Sequence, residues 1–106
     1  MDGMLWLAFH RAVTVQPPDL RRWLDRQERT ARATGRVDQL ALGRQVADLL
    51  ETQRCDLTSA DIRTMRAVLT RIRALRAVAL TCAPEHAEDV RWHLLALGHD
   101  LKRAER

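Results

Sequence analysis

Residues 57–84, LTSADIRTMRAVLTRIRALRAVALTCAP, contain both ends of one long predicted helix. At its start, the Thr58 hydroxyl can accept a hydrogen bond from the amide of Asp61, and the Asp61 carboxylate can reach back to the Thr58 amide. At its end, Pro84 disfavours helical dihedral angles in the residue before it. The sequence therefore predicts a helix of about 24 residues that begins at this capping box.

Apolar residues within this helix recur at spacings of three and four, the period of a helix packed on a core. They are Ile62, Met65, Leu69, Ile72 and Ala79, with Val68 and Leu75 beside them. Arg63, Arg66 and Arg73 cluster on the opposite face, where their long stems can lie along apolar neighbours while their charges reach water. Arg76 falls within the apolar stripe, so we expect it at an edge, opposite an acid or at a contact with another chain.

Three further helices are predicted along the chain. Residues 18–34 begin at a Pro-Pro-Asp sequence, which suits a helix N-terminus, and they end or kink at Gly35. Residues 37–54 repeat the apolar period. Residues 84–101 are predicted as a single rod, with one apolar stripe formed by Ala87, Val90, Leu94, Leu97 and Leu101.

The overall composition favours an all-α fold. Apolar residues make up 46% of the chain and are largely Leu and Ala, with only two Ile and no Tyr. Residues 4–15, MLWLAFHRAVTV, fit a short helix or an extended segment, and we favour the helix. The sequence thus predicts one domain over residues 1–106, an antiparallel bundle of four main helices. Residues 1–16 form an apolar segment that packs on the bundle or swaps between bundles, as a fifth short helix if it is helical.

Membrane insertion, secretion and disulfide bonding are not expected. The opening apolar run covers only residues 4–9, which is too short for a signal peptide or a membrane span. Cys55 and Cys82 flank the long helix, so they lie roughly 36 Å apart if it is continuous. A disulfide needs Cα atoms within about 7 Å. We therefore expect a cytoplasmic protein with two reduced thiols and no membrane partner.

The motifs of enzymes are missing from the sequence. There is no glycine-rich phosphate loop, no nucleophile elbow and no cysteine pair at metal-ligand spacing. His86, Asp89 and His93 are residue types that bind zinc or iron, but three residues on one helix need a fourth donor from elsewhere. We therefore predict no catalytic residue, no metal, no cofactor and no small-molecule substrate.

The last predicted helix carries a second apolar stripe, roughly opposite the first, which includes Trp92, Leu95 and His99. A helix that is apolar on two sides needs two partners, so it lies centrally under the N-terminal segment or it meets another protein. We expect a small non-catalytic protein-binding module, such as an adaptor, inhibitor or regulatory subunit, that binds a partner or a second copy of itself. The predicted partner-binding residues are Trp92, Leu95, His99, Trp6 and Phe9.

The arginine content supports an alternative function. Seventeen of the 18 basic residues are arginine and the net charge is +4, which suits nucleic acid but also follows from codon bias. Guanidinium groups bind phosphate oxygens bidentately, although the arginine face of residues 18–34 contains no aromatic residue that could stack on a base. The alternative is a nucleic-acid-binding regulator or nucleoprotein subunit without a defined recognition helix. Its predicted contacts are Arg22, Arg26, Arg29, Arg32, Arg36, Arg63, Arg66 and Arg73.

Overall fold

The computed structural model describes residues 3–104. The first two residues of the predicted N-terminal segment and the last two of the chain lie outside the described residues. Within this range the elements are α1 (Gly3–Ala12), α2 (Pro17–Thr34), α3 (Val37–Glu51), a 3-10 turn (Arg54–Asp56), α4 (Ser59–Thr81), α5 (Pro84–Ala96) and α6 (Leu101–Ala104). No strand occurs among residues 3–104, and the predicted all-α fold is confirmed.

The predicted start of the long helix α4 is confirmed atom by atom. Thr58 Oγ1 accepts a hydrogen bond from the Asp61 amide over 3.1 Å, and the Asp61 carboxylate accepts one from the Thr58 amide over 3.0 Å. The helix ends at Thr81, shortly before Pro84. The end of α2 also agrees with the sequence, because Gly35 adopts a left-handed φ of 73° there.

The predicted single rod over residues 84–101 is wrong, because α5 ends at Ala96 and the chain turns at Gly98. The Gly98 amide donates to the Leu95 carbonyl and the His99 amide donates to the Leu94 carbonyl, each over 2.9 Å. These two bonds form a Schellman motif, which needs a left-handed residue after the helix. Gly98 supplies it with a φ of 78°.

The turn after α5 folds back on the segment that follows α1. The amides of Thr14 and Val15 both donate to the Gly98 carbonyl, over 2.9 and 3.0 Å. A Cβ at Gly98 would lie only 2.7 Å from Val13 Cγ1, so this close approach also requires glycine. The ends of α1 and α5 are thereby joined.

The core lies around α5, which packs against α2, α3 and α4. The most extensive contact joins α2 to α3, and α1 packs on α4. Gly43 lets α3 approach α5 closely, because a Cβ there would overlap the Ala96 carbonyl oxygen. Side chains with at most 1% exposure include Phe9, Leu20, Leu24, Val46, Val68 and Leu94.

The helices and the cysteines can be compared with the expectations on membrane insertion and disulfide bonding. No helix in the described range is long and apolar enough to cross a membrane. Cys55 is exposed, Cys82 is half-buried, and both are free thiols.

Candidate functional site

Trp92, the centre of the predicted partner-binding surface, packs within its own chain. Its ring centroid lies 5.7 Å from that of Trp23, and its Nε1 donates a hydrogen bond to Gln27 Oε1 over 3.0 Å. The Arg36 guanidinium lies 4.9 Å from the centroid of the Trp92 ring and pairs with the Asp89 carboxylate. Residues of α2 and of the α2–α3 connection therefore cover one side of the indole, which is half-buried.

The other four residues of that predicted surface divide into two groups. Phe9 has no exposed surface and His99 is only 2% exposed, so both lie in the core of this chain. Phe9 is buried because α1 packs on α4, and His99 because the turn after α5 folds back on α1. The structure therefore differs from the sequence expectation at these two positions. Trp6 and Leu95 are half-buried, and Trp6 stacks on His10 with ring centroids 4.0 Å apart.

The arginines predicted to form a nucleic-acid face on residues 22–36 are partly neutralised. Three of them form ion pairs, which are Arg22–Asp19, Arg32–Glu28 and Arg36–Asp89. Arg26 and Arg29 are exposed and have no acid partner within residues 3–104. This face thus keeps two unpaired cations of its five.

The largest net charge of any helix in residues 3–104 lies on α4. This helix contains five arginines and one acid, Asp61, so its net charge of +4 equals that of the whole chain. The Asp61 carboxylate is occupied by the capping box. Arg63, Arg66 and Arg73 are exposed, and none has an acid partner in the described part of the chain. These three residues are the basic face of α4.

A cleft of about 310 Å³ opens between α1 and α4 next to this face. Its polar lining consists of Arg11, Thr14, Arg73, Arg76 and His99. The three guanidinium groups are exposed and have no acid partner among the residues that the structure describes. Arg76 therefore lies at the edge of a helix contact, which is one of the settings that its place in the apolar stripe predicts. We refer to this feature as the α1–α4 cleft.

His99 is the buried polar residue of the α1–α4 cleft. Its Nδ1 lies 2.6 Å from the Ala12 carbonyl oxygen, and because that oxygen can only accept, Nδ1 carries the hydrogen. Nε2 is buried and has no hydrogen-bond partner within residues 3–104. Burial lowers the pKa of the His99 imidazole below 6.5. The Ala12 hydrogen bond raises this pKa, nearby Arg76 lowers it further, and Asp100 raises it by a smaller amount.

Sequence reasoning identified the basic face of α4 but did not assemble the cleft. It left Arg11 out of any site and assigned His99 to a different one. Arg76 within the apolar stripe was a signal of such a site, because its charged group needs water or a polar partner. No local signal joins Arg11 to His99, because these residues are far apart in the sequence and meet only through the packing of α1 on α4.

The three possible metal ligands on α5 do not converge on one point. His93 Nδ1 is hydrogen-bonded to the Asp89 backbone carbonyl over 2.9 Å, and His86 is exposed. Within the described range, no group of three or more His, Cys, Asp or Glu side chains could hold a metal ion.

Comparison with known proteins places the chain in a family. The family model described as a protein of unknown function, DUF3140, matches residues 8–95. No curated protein and no solved structure matches the chain. The matched residues contain α2, α3 and α4 in full, and with α4 the whole basic face. Since the match covers most of its length, the chain belongs to the DUF3140 family of proteins of unknown function.

Proposed function

We propose that this protein binds nucleic acid through the basic face of α4, as a non-catalytic, cytoplasmic regulator or nucleoprotein subunit. One observation carries the proposal. Arg63, Arg66 and Arg73 are exposed cations without an acid partner in the described residues, on the helix with the largest net charge. By contrast, Arg21 on α2 pairs with Asp48 and Glu51, and Arg44 on α3 pairs with Asp25 and Glu28.

The spacing of these residues suits a row of phosphates. From Arg63 to Arg73 the helix axis advances by about 15 Å. Each guanidinium group can bind phosphate oxygens in a bidentate way, and several such contacts release counterions from the nucleic acid. Phosphate contacts position a protein without reading sequence, so we expect binding with little sequence preference.

Fluorescence anisotropy with a labelled double-stranded oligonucleotide tests this proposal. We expect wild-type binding to weaken steeply with salt, and the double variant Arg63→Gln/Arg66→Gln to bind more weakly. Loss of two phosphate contacts lowers the slope of log K against log salt by about 2. No binding at low salt would refute the proposal.

The double variant Arg26→Gln/Arg29→Gln is the matched control. It removes the same charge from two exposed arginines of α2 that also lack an acid partner within residues 3–104. We expect it to bind nearly as well as the wild type. If both double variants lose affinity equally, net charge rather than the basic face of α4 explains the binding, and the proposal is wrong.

A second candidate is a protein-binding module, and two surface features favour it. A cleft of about 360 Å³ beside Trp92 also includes Trp23 and Leu95. Leu7 on α1 is 48% exposed. A partner that filled the cleft beside Trp92 would gain the aromatic contacts typical of interface cores, and one that covered Leu7 would bury an exposed apolar side chain. Light scattering over a range of protein concentrations tests self-association, and an oligomer that dissociates on Leu7→Asp would support this candidate.

A further inference from the structure

The α1–α4 cleft combines three unpaired cations with a buried imidazole. Arg11 approaches from α1 and Arg73 and Arg76 from α4, so positive charge converges from two helices on one space. Such a concentration of like charge next to a low-dielectric wall attracts anions.

The remaining lining groups can donate hydrogen bonds to an anion. Thr14 Oγ1 already accepts a hydrogen bond from the Asp100 amide, over 2.9 Å, so its own hydrogen is free to be donated. The Nδ1 hydrogen of His99 is used by Ala12, so protonation of His99 would place its second hydrogen on Nε2. A buried Nε2 without a partner is unusual, because nearly all buried polar atoms make a hydrogen bond.

We propose that the α1–α4 cleft binds one phosphate group, held by the surrounding guanidinium groups, with Nε2 of protonated His99 donating from the buried wall. A phosphate group offers oxygens in a tetrahedral array, which suits donors that converge from several directions. The inference goes beyond nucleic-acid binding by the basic face of α4. It assigns the α1–α4 cleft to a single phosphate, either free or part of a polynucleotide.

Phosphate binding and protonation of His99 should support each other. The cations that line the cleft together with His99 are Arg11, Arg73 and Arg76, and Asp100 is next to His99 in the chain. Arg103 of α6 is close too, since it donates to the Thr14 carbonyl over 3.1 Å. The Arg76 guanidinium opposes a positive charge on the imidazole, whereas a bound dianion favours one. If an anion binds the protein more tightly when His99 is protonated, its binding raises the pKa of His99. The two effects share one coupling free energy.

NMR titration of the histidine ring protons tests this proposal, with sulfate and chloride compared at equal ionic strength. Sulfate is a tetrahedral dianion that keeps its charge between pH 5 and 8, so a pH-dependent change reports on the protein. We expect sulfate to raise the pKa of His99 in the wild type and to raise it less in Arg76→Gln at the same sulfate concentration. Loss of one charge-assisted hydrogen bond should weaken sulfate binding about tenfold. The control Arg29→Gln, on α2, should behave as the wild type.

An equal pKa of His99 in sulfate and in chloride would overturn the proposal. So would equal sulfate affinity of the wild type and His99→Asn, a variant that can keep a donor for the Ala12 carbonyl while it removes Nε2. Inorganic phosphate and a short oligonucleotide then identify the source of the phosphate. A shift with both supports a polynucleotide phosphate, and a shift with inorganic phosphate and sulfate only supports a free phosphate as the ligand. If only inorganic phosphate and sulfate shift the pKa and the oligonucleotide does not bind at all, the proposed function is refuted. Phosphate binding in the α1–α4 cleft then still stands.

Discussion

His99 Nδ1 lies 2.6 Å from the carbonyl oxygen of Ala12, so the turn after α5 is bonded directly to the last residue of α1. The amides of Thr14 and Val15 add two bonds to the Gly98 carbonyl. The same few residues therefore fix the end of α1 and form one wall of the α1–α4 cleft. A change that disturbs the Gly98 turn should disturb the cleft as well.

Gly98→Ala should destabilise the protein more than Gly35→Ala. Both glycines have left-handed φ angles, 78° and 73°, so either alanine adds backbone strain of about 1 kcal/mol. A Cβ at Gly98 also meets Val13 at 2.7 Å, while nothing lies within 4 Å of a Cβ at Gly35. We expect Gly98→Ala to lower the free energy of unfolding by about 3 kcal/mol. Urea denaturation measures this loss for both variants. Equal losses would contradict the close approach.

The stability of the protein should depend on pH through His99. Because the pKa of His99 is lowered in the folded state, the unfolded state binds more protons below pH 6.5. The wild type should therefore lose stability relative to His99→Asn as the pH falls from about 6.5 through the folded-state pKa. Urea denaturation of both proteins in chloride buffers at a series of pH values measures this difference. Parallel pH profiles would contradict it.

Thr58→Ala should lower the free energy of unfolding by about 1 kcal/mol, because it removes the side-chain half of the capping box. Thr58→Ser keeps a hydroxyl at the same position and should cost much less. Thermal denaturation followed by circular dichroism compares the two variants. The same midpoint for both would show that the cap hydrogen bond adds nothing measurable to stability.

Trp92→Ala should lower the free energy of unfolding by about 2 kcal/mol, because the half-buried indole contacts Trp23 and donates to Gln27. Leu80→Ala serves as the control, since Leu80 is 87% exposed and surface changes usually stay within about 0.5 kcal/mol. Chemical denaturation followed by circular dichroism measures both. A neutral effect of Trp92→Ala would mean that the indole is available for a partner rather than needed by its own chain.

Local signals predicted the helix starts well and one helix end poorly. The capping box at Thr58 and Asp61 joins residues three apart, so the sequence contains the whole interaction. Gly98 also carried a local signal, since glycine often follows the last residue of a helix. The prediction of a single rod rests instead on the apolar period, which continues to Leu101. The period was misleading because Leu101 is half-buried and begins a separate short helix, α6.

The two arginine faces show why a helical wheel is not enough to define a site. The wheel correctly groups Arg63, Arg66 and Arg73 on the exposed side of α4. It cannot show that Arg36 meets Asp89 of α5, because that pair depends on how distant segments pack. Three of the eight predicted cations are paired with carboxylates, and in the pair of Arg36 the carboxylate comes from another helix that the wheel does not include.

The sequence alone was sufficient to predict the all-α class and the basic face of α4. Both follow from local features, namely the apolar period, the proline positions and the capping box. The burial of Phe9 and His99 and the convergence of Arg11 with Arg76 required the packing of α1 on α4 and the turn at Gly98. Such contacts join residues far apart in the chain, and their energies depend on distances that no local pattern of residue types specifies.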